Sequence, residues 1–328
     1  VLQRRLFEVM DQGWRVFDEK FCNPDGSLIF NQSMDHSRDG ADDFYEAFFN
    51  WPALYMLGGS EDILSAAKKS WKGVTEQLTK LGLVKDQYER GYDWFHQGES
   101  MIFFYAICAA DPKDQEFKKL AKQFADLYAG KNSPNYVADK NIIPAPHNGS
   151  DGLRPGLGQE NQDGYPAGEI NSVMKPYGLP LHYVEGINEW DDLAVKEKSI
   201  LMASEMERVL GYGDVAVNLA VTSLIANQWL YDNEQSSADW INKYIQGWVD
   251  RAEANDGIIP DNVAPNGEVG GLHDGRWFGG HYGWTWPHGF YSVSHATLVA
   301  GLNAILVSGD KSVLQLTRTV LQKVKSLG

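Results

Sequence analysis

Apolar and polar positions along this chain alternate between two kinds of segment. One kind is apolar or aromatic almost without interruption. The other carries an apolar stripe at helical spacing on a Lys-rich background. Four times the first kind runs through a tight acidic turn into the second. DDFYEAFFNWPALYMLGG passes through Ser60–Asp62 into ILSAAKKSWKGVTEQLTKLG, and GESMIFFYAICAA through Asp111–Lys113 into QEFKKLAKQFADLYAG. DVAVNLAVTSLIANQWLY passes through Asp232–Gln235 into SADWINKYIQGWVDRAEA, and FYSVSHATLVAGLNAILVSG through Asp310–Lys311 into SVLQLTRTVLQKVKSLG. A helix that is apolar all round must be buried on every side, whereas a striped one lies outside it with its polar face in water.

The expected fold is therefore all-α: an (α/α)n toroid of concentric inner and outer helices, similar to an α/α6 barrel, as a single domain over residues 1–328. Val1–Phe21 and Asp191–Gly211 supply further amphipathic helices. A six-pair ring needs more helices than this pattern provides. Either the irregular stretch 130–190 replaces them, or the natural chain continues beyond Gly328 into a further C-terminal domain. A solenoid also stacks helix pairs, but it keeps a constant repeat length, and these repeats vary.

Inner-to-outer turns are short, whereas the outer-to-inner loops 22–41, 83–97, 130–190 and 255–288 are long. Long loops in a compact domain are usually functional. In a toroid they all lie at one end, above the N-termini of the inner helices, where helix dipoles and free backbone N–H groups favour polar ligands. Two of these loops, NIIPAPHNGSDG and GIIPDNVAPNGEVGG, read as extended segments closing into small hairpins that would rim a cleft.

The candidate site residues sit where these loops enter the inner helices. In SRDGADDFYEAFFNWP, one of Asp42 and Asp43 is expected to cap the helix and leave the other for the cleft. Arg38 and Tyr45 are substrate-contact candidates, and Glu46 shares the helix face of the two acids. In YERGYDWFHQGES, Glu99 opens an otherwise apolar helix, a setting that suits a carboxyl with a raised pKa. Trp94 and His96 read either as sugar contacts or as packing of the loop. The densest segment is DGRWFGGHYGWTWPHGFYSVSH, where Trp, Tyr, His and Arg stand among glycines that would let backbone approach a ligand. Here His281, Tyr282, Trp284, Trp286 and His288 are expected to alternate along an extended stretch, so that several share one face. His288 falls at the N-cap of the next helix, where the dipole keeps it neutral. His295 is expected in the core, and Arg276 is a candidate partner for a substrate carboxylate.

Composition removes several functions. The formal net charge of −15 disfavours nucleic acid and anionic membranes. There is no uninterrupted apolar run of about 18 residues, the length of a spanning helix. Cys22 and Cys108 lack zinc-ligand spacing, and Cys108 reads as a buried apolar residue. Nucleophile-elbow, P-loop, HExxH and EF-hand patterns are absent. Neither a metal nor a cofactor is expected, although HNGSDG at 147–152 has some character of a metal or sugar contact.

The helix-pair pattern, the entries SRDGADDFYEAFFNWPALYMLGG and DWFHQGES, and the run GGHYGWTWPHGFYSV resemble carbohydrate-active enzymes of the (α/α)-toroid kind, both glycoside hydrolases and polysaccharide lyases. The nearest resemblance is to the β-glucuronidase-type hydrolases of glycoside hydrolase family 154. It covers most of the chain in architecture and those three segments in motif. Such enzymes often carry a β-sandwich after the toroid, which has no counterpart in this sequence.

The resemblance implies a glycoside hydrolase acting on an oligosaccharide or polysaccharide, and the residues permit other chemistries beside it. A hydrolase requires two carboxyl groups flanking the scissile bond, here drawn from Asp42, Asp43 and Glu99. A lyase requires a Tyr or His base beside a uronate and a group to neutralise its carboxylate: Tyr282, His281 or His288, with Arg276 or Arg38. A non-catalytic glycan-binding protein would use the aromatic residues alone, and an epimerase would use a pair of His on one free sugar. Arg38, Arg90, Arg154 and Arg276 favour a uronic acid, because guanidinium matches carboxylate. A periplasmic or secreted location is expected over a cytoplasmic one.

Overall fold

The computed structural model describes residues 2–29, 40–157, 175–176 and 178–327. Secondary structure is overwhelmingly helical, as expected, and falls into two compact units: Val1–Arg90 with His96–Gln123, and Gly91–Phe95 with Phe124–Gly328.

The first unit begins with α1 (Leu2–Phe21), α2 (Asp42–Tyr45), α3 (Asn50–Met56) and α4 (Glu61–Lys80). The expected continuous inner helix is thus broken into α2 and α3. Pro52 explains the break: it has no N–H to give to Phe48, and a proline is tolerated only in a first helical turn. The chain bridges the gap with tighter bonds, from Phe48 N–H to Tyr45 O and from Trp51 N–H to Phe48 O. On α4, Ile63, Ala67, Trp71, Val74 and Leu78 recur every three or four residues and are all buried. Trp71 stacks on Tyr45 with ring centroids 4.6 Å apart and meets Phe103 edge-on at 5.8 Å. Lys68 ties the turn after Ala110 to α4 through Asp111 at 2.7 Å and Asp114 at 2.6 Å.

A two-residue turn at Asp86 and Gln87, both with positive φ, joins β1 (Val84–Lys85) to β2 (Tyr88–Glu89). Helix α5 (Trp94–Ala110) follows, then α6 (Gln115–Ala129), and both helices contribute to both units. Helix α5 starts five residues earlier than Glu99, because Asp93 accepts the Phe95 N–H at 2.8 Å and caps it.

The second unit contains β3 (Asn148–Gly149) paired with β4 (Gly152–Leu153), then α7 (Lys196–Leu210), α8 (Thr222–Asp232) and α9 (Gln235–Ala254). It ends with α10 (Gly289–Ser308) and α11 (Gln315–Leu327). The hairpin expected in NIIPAPHNGSDG therefore occupies only its last residues. GIIPDNVAPNGEVGG forms a single bridge, Val263 to Val269. Helix α10 packs on α8, α9 and α11.

The expected burial of α10 on all sides is not observed. Val293, Ala296, Thr297, Ala300, Gly301 and Ala304 form its buried face, while Phe290, Tyr291, Leu298, Leu302 and Leu306 are exposed. Among the described residues α10 is the one helix long and apolar enough to cross a membrane, by length and composition. His295, expected in the core, is exposed and stacks on Tyr291 at 5.4 Å. Cys22 and Cys108 are free and buried.

Candidate functional site

Two clusters of ionisable side chains stand out, one in each unit. In the first, carboxylate oxygens of Asp42, Glu46 and Glu99 all lie within 4.8 Å of one another. Helix α2 supplies Asp42, the residue capping its C-terminus is Glu46, and α5 supplies Glu99. Asp42 is only 3 % exposed, Glu99 is half-buried and Glu46 is exposed, so the cluster reaches from the interior to the surface.

Burial is the main force on Asp42. It disfavours the charged form and, with Glu89 and Asp43 adding repulsion against the pull of His96, raises the pKa from 3.8 to about 9. Asp42 is therefore a protonated carboxyl at neutral pH. Its Oδ1 makes no hydrogen bond among the described residues. The expected helix cap is different: Ala41 occupies the N-cap, and Asp42 and Asp43 both fall in the first turn. Asp43 is exposed. His96 is buried beside the cluster.

Tyr45, an expected substrate contact, is a core residue. Its ring lies on Trp71, and its hydroxyl shares a hydrogen bond of 2.9 Å with Thr75. Burial pushes the phenol well above its usual pKa. Trp94 is also part of a core network. Its Nε1–H donates to Asn148 Oδ1 at 2.9 Å and to Tyr128 Oη at 3.2 Å, leaving it no exposed face for a sugar. Arg38 lies outside the described residues.

The second cluster gathers Asp93, His147 and His281, each buried and each offering a ligand atom within 4.8 Å of the others. Around it pack the aromatic residues of the Gly-punctuated loop. Tyr282 lies parallel to Phe95 at 5.1 Å and edge-on to His281 at 4.6 Å. Trp286 stacks on His281 at 5.7 Å, and His288 faces both Tyr282 and Phe95. Several of these residues, His281, Tyr282, Trp286 and His288, thus do come together as expected, but not by the alternation of an extended stretch. The segment is a chain of turns, closed by Gly283 N–H to Gly280 O, Trp286 N–H to Gly283 O and Gly289 N–H to Trp286 O. Tyr282 is held at φ +51°, a strained conformation for a bulky residue and one that concentrates at functional sites.

Trp284 leaves the group. Its indole donates to Ile259 O at 2.8 Å, and its backbone N–H donates to Asp261 Oδ2 at 2.7 Å. Arg276 covers the Tyr183 ring at 4.0 Å and pairs with Asp274 at 3.6 Å. His288 occupies the N-cap of α10, as expected, without a side-chain cap bond.

Sequence reasoning missed Asp261, the buried acid around which this loop is wound. The glycines that suggest close approach to a ligand serve that acid instead. A side chain on Gly280 would strike the Asp261 carbonyl oxygen, and one on Gly283 would strike its carboxylate. The signal available in the sequence was the pair of glycines on either side of His281 and Tyr282, but nothing local names their partner.

The class these observations define is an all-α helix-pair protein with a protonated acid among carboxylates and a buried His–Asp cluster ringed by aromatic residues. The chain belongs to the family described as Domain of unknown function (DUF8034), whose model matches residues 1–328. No match is found among curated protein sequences. Among solved structures it is similar to cellobiose 2-epimerase from Spirochaeta thermophila DSM 6192, with 14% identity over 98% of this chain and 86% of that one, at a TM-score of 0.33.

Proposed function

We propose that this protein is a carbohydrate-active enzyme, a glycoside hydrolase with Asp42 as general acid and Glu99 as its ionised partner. One observation carries this reading: a buried carboxyl kept protonated to about pH 9 stands within 4.8 Å of two other carboxylates. Environments that push neighbouring carboxyl pKa values apart assign the acid and base roles. The close spacing favours the retaining arrangement, whose carboxyls stand roughly 5 Å apart, over the water-separated inverting one at roughly 6.5–9.5 Å. Asp42 would give its proton to the departing glycosidic oxygen while Glu99 attacks the anomeric carbon. The Asp42 carboxylate would then take a proton from the water that releases the sugar. A uronic-acid-containing oligosaccharide, with β-glucuronidase-like cleavage, is the substrate class we favour.

The gathering of His281, strained Tyr282 and His288 favours a second reading, a lyase that removes the C5 proton of a uronate by β-elimination. Incubation with uronate-containing oligosaccharides separates the two. Saturated monosaccharide supports the hydrolase, and the ultraviolet absorbance of an unsaturated uronate supports the lyase. Binding with no product at all would defeat both and leave a glycan-binding protein.

A further inference from the structure

Residues far apart in sequence are built into the second cluster by two backbone devices. Tyr92 and Asn148 form an antiparallel bridge and exchange both hydrogen bonds, at 3.3 and 3.1 Å. The next residues along the two strands of such a bridge are Asp93 and His147, so they stand across from each other. His281 comes from the loop wound on Asp261, which fixes the residue before it through Gly280 N–H at 2.9 Å. All three side chains are almost wholly buried: Asp93 is 0 % exposed, His147 6 % and His281 1 %.

The donor set is specific. Two imidazoles and one carboxylate suit zinc in sites that keep a position open for water or substrate, and they also suit other first-row divalent ions. Ligand atoms at about 2.0–2.2 Å from one ion are closer together than the 4.8 Å limit of this cluster, so small side-chain rotations bring all three to one point. The imidazole rings of His147 and His281 stand edge to face, centroids 5.4 Å apart with planes at 76°, and one ligand atom from each lies within 4.8 Å of the other. Asp93 is also anchored from behind, accepting the Phe95 N–H, in the way an outer-shell bond orients a ligand.

We propose that Asp93, His147 and His281 form a binding site for a divalent transition-metal ion, with zinc the best fit. This departs from the metal-free expectation drawn from the sequence, where His147 appeared only in HNGSDG. It does not depend on the hydrolase reading, whose carboxylates belong to the other cluster.

The test uses the full chain stripped with chelator and dialysed. Zinc alone should bind at close to one ion per chain and raise the thermal unfolding midpoint. Cobalt alone should give the visible bands of a low-symmetry site with nitrogen ligands. His147→Gln should weaken zinc binding by more than about 100-fold, the upper range for loss of an outer-shell partner, with the helical circular dichroism unchanged. Should that variant not fold, the cobalt spectrum of the unmodified protein still decides. Absence of zinc uptake, midpoint shift and cobalt bands in the unmodified protein would overturn the proposal and leave the cluster as a proton-sharing Asp–His group. Zinc uptake that survives in both His147→Gln and Asp93→Asn would also overturn it, by placing the ion elsewhere.

Discussion

Asp261 and Gly280 are locked together in two ways. The Gly280 N–H donates to Asp261 Oδ1 at 2.9 Å, and the absent side chain of Gly280 is what lets the two backbones touch. Gly279 and Trp284 add N–H bonds to Oδ2 at 3.0 and 2.7 Å. Asp261→Ala would leave three buried donors unpaired, at about 1–3 kcal/mol each. The expected loss is therefore about 3 kcal/mol or more. Gly280→Ala should destabilise as well, by forcing the backbone apart. Urea unfolding followed by tryptophan fluorescence measures both, and a loss below about 1 kcal/mol for Asp261→Ala would show that the loop holds without its centre.

Asp42 gives stability a pH dependence of definite sign. Its folded pKa of about 9 lies above the ordinary 3.8, so the folded protein holds this proton more tightly than the unfolded chain does. The contribution to stability is fully present below the unfolded value and declines as pH rises towards about 9. Asp42→Asn cannot titrate. Relative to the variant, the native protein should therefore lose thermal stability steadily from mildly acidic to alkaline pH. Parallel melting curves over that range would refute the burial argument.

On the proposed hydrolase reading, the same proton would govern activity. Asp42→Asn should lower kcat/KM on a glycoside by about 10²–10⁴-fold, the usual worth of a positioned acid. Glu99→Gln should abolish turnover at least as thoroughly. Activity of the native enzyme should fall as pH passes about 9 and Asp42 ionises. Asp43→Asn, at an exposed position, should change kcat/KM by less than about threefold, within ordinary surface effects. Equal losses at Asp42 and Asp43 would contradict the assignment of the acid.

The helix pairs were legible in the sequence because burial writes itself into periodicity: the stripe Ile63, Ala67, Trp71, Val74 and Leu78 faces the core as its spacing requires. The convergence of Asp42 and Glu99 was legible in part: both stand out as acids beside apolar runs, but Asp42 was not separable from Asp43, and Glu99 lies inside α5 and not at its mouth. Tyr45 was misread, and Trp94 was left open between sugar contact and packing, because an aromatic ring with a polar edge looks the same whether its partner is a sugar or Thr75 and Asn148. The Asp93–His147–His281 group was invisible, since its convergence depends on the Tyr92–Asn148 bridge and on Asp261, and neither leaves a local pattern. On α10, apolar composition overstated burial, because small residues pack one face and larger ones line the exposed face.

His273 should act on the acid side. It is buried, with its Nε2–H set to donate to Val209 O at 2.9 Å, and burial, aided by Arg276 and Arg208, lowers its pKa from 6.5 to about 4. A depressed base stabilises the fold above its unfolded pKa, and that contribution is lost as pH falls from about 6.5 to about 4. The loss is on the order of 3 kcal/mol, at about 1.4 kcal/mol for each unit of pKa difference. In His273→Gln the amide can keep a donor towards Val209 without titrating. The difference in unfolding free energy between the two proteins should shrink as the pH is lowered through this window, and a constant difference would show that His273 does not titrate there.

Trp94→Phe separates a structural role from substrate contact. The substitution keeps an aromatic six-membered ring but removes the pyrrole ring and with it the Nε1–H that bonds Asn148 Oδ1 at 2.9 Å and Tyr128 Oη at 3.2 Å. Asn148 Oδ1 keeps its bond from the Tyr128 hydroxyl at 2.6 Å, so the acceptor is not stranded. The cost should be at least that of one or two hydrogen bonds, about 1–2 kcal/mol, with the void left by the lost ring adding to it, read as a lower urea midpoint. KM for any active glycoside should not move, because Trp94 is buried. A rise in KM with unchanged stability would return Trp94 to the substrate site and would mean that the segment carrying Asp93 opens to admit the sugar.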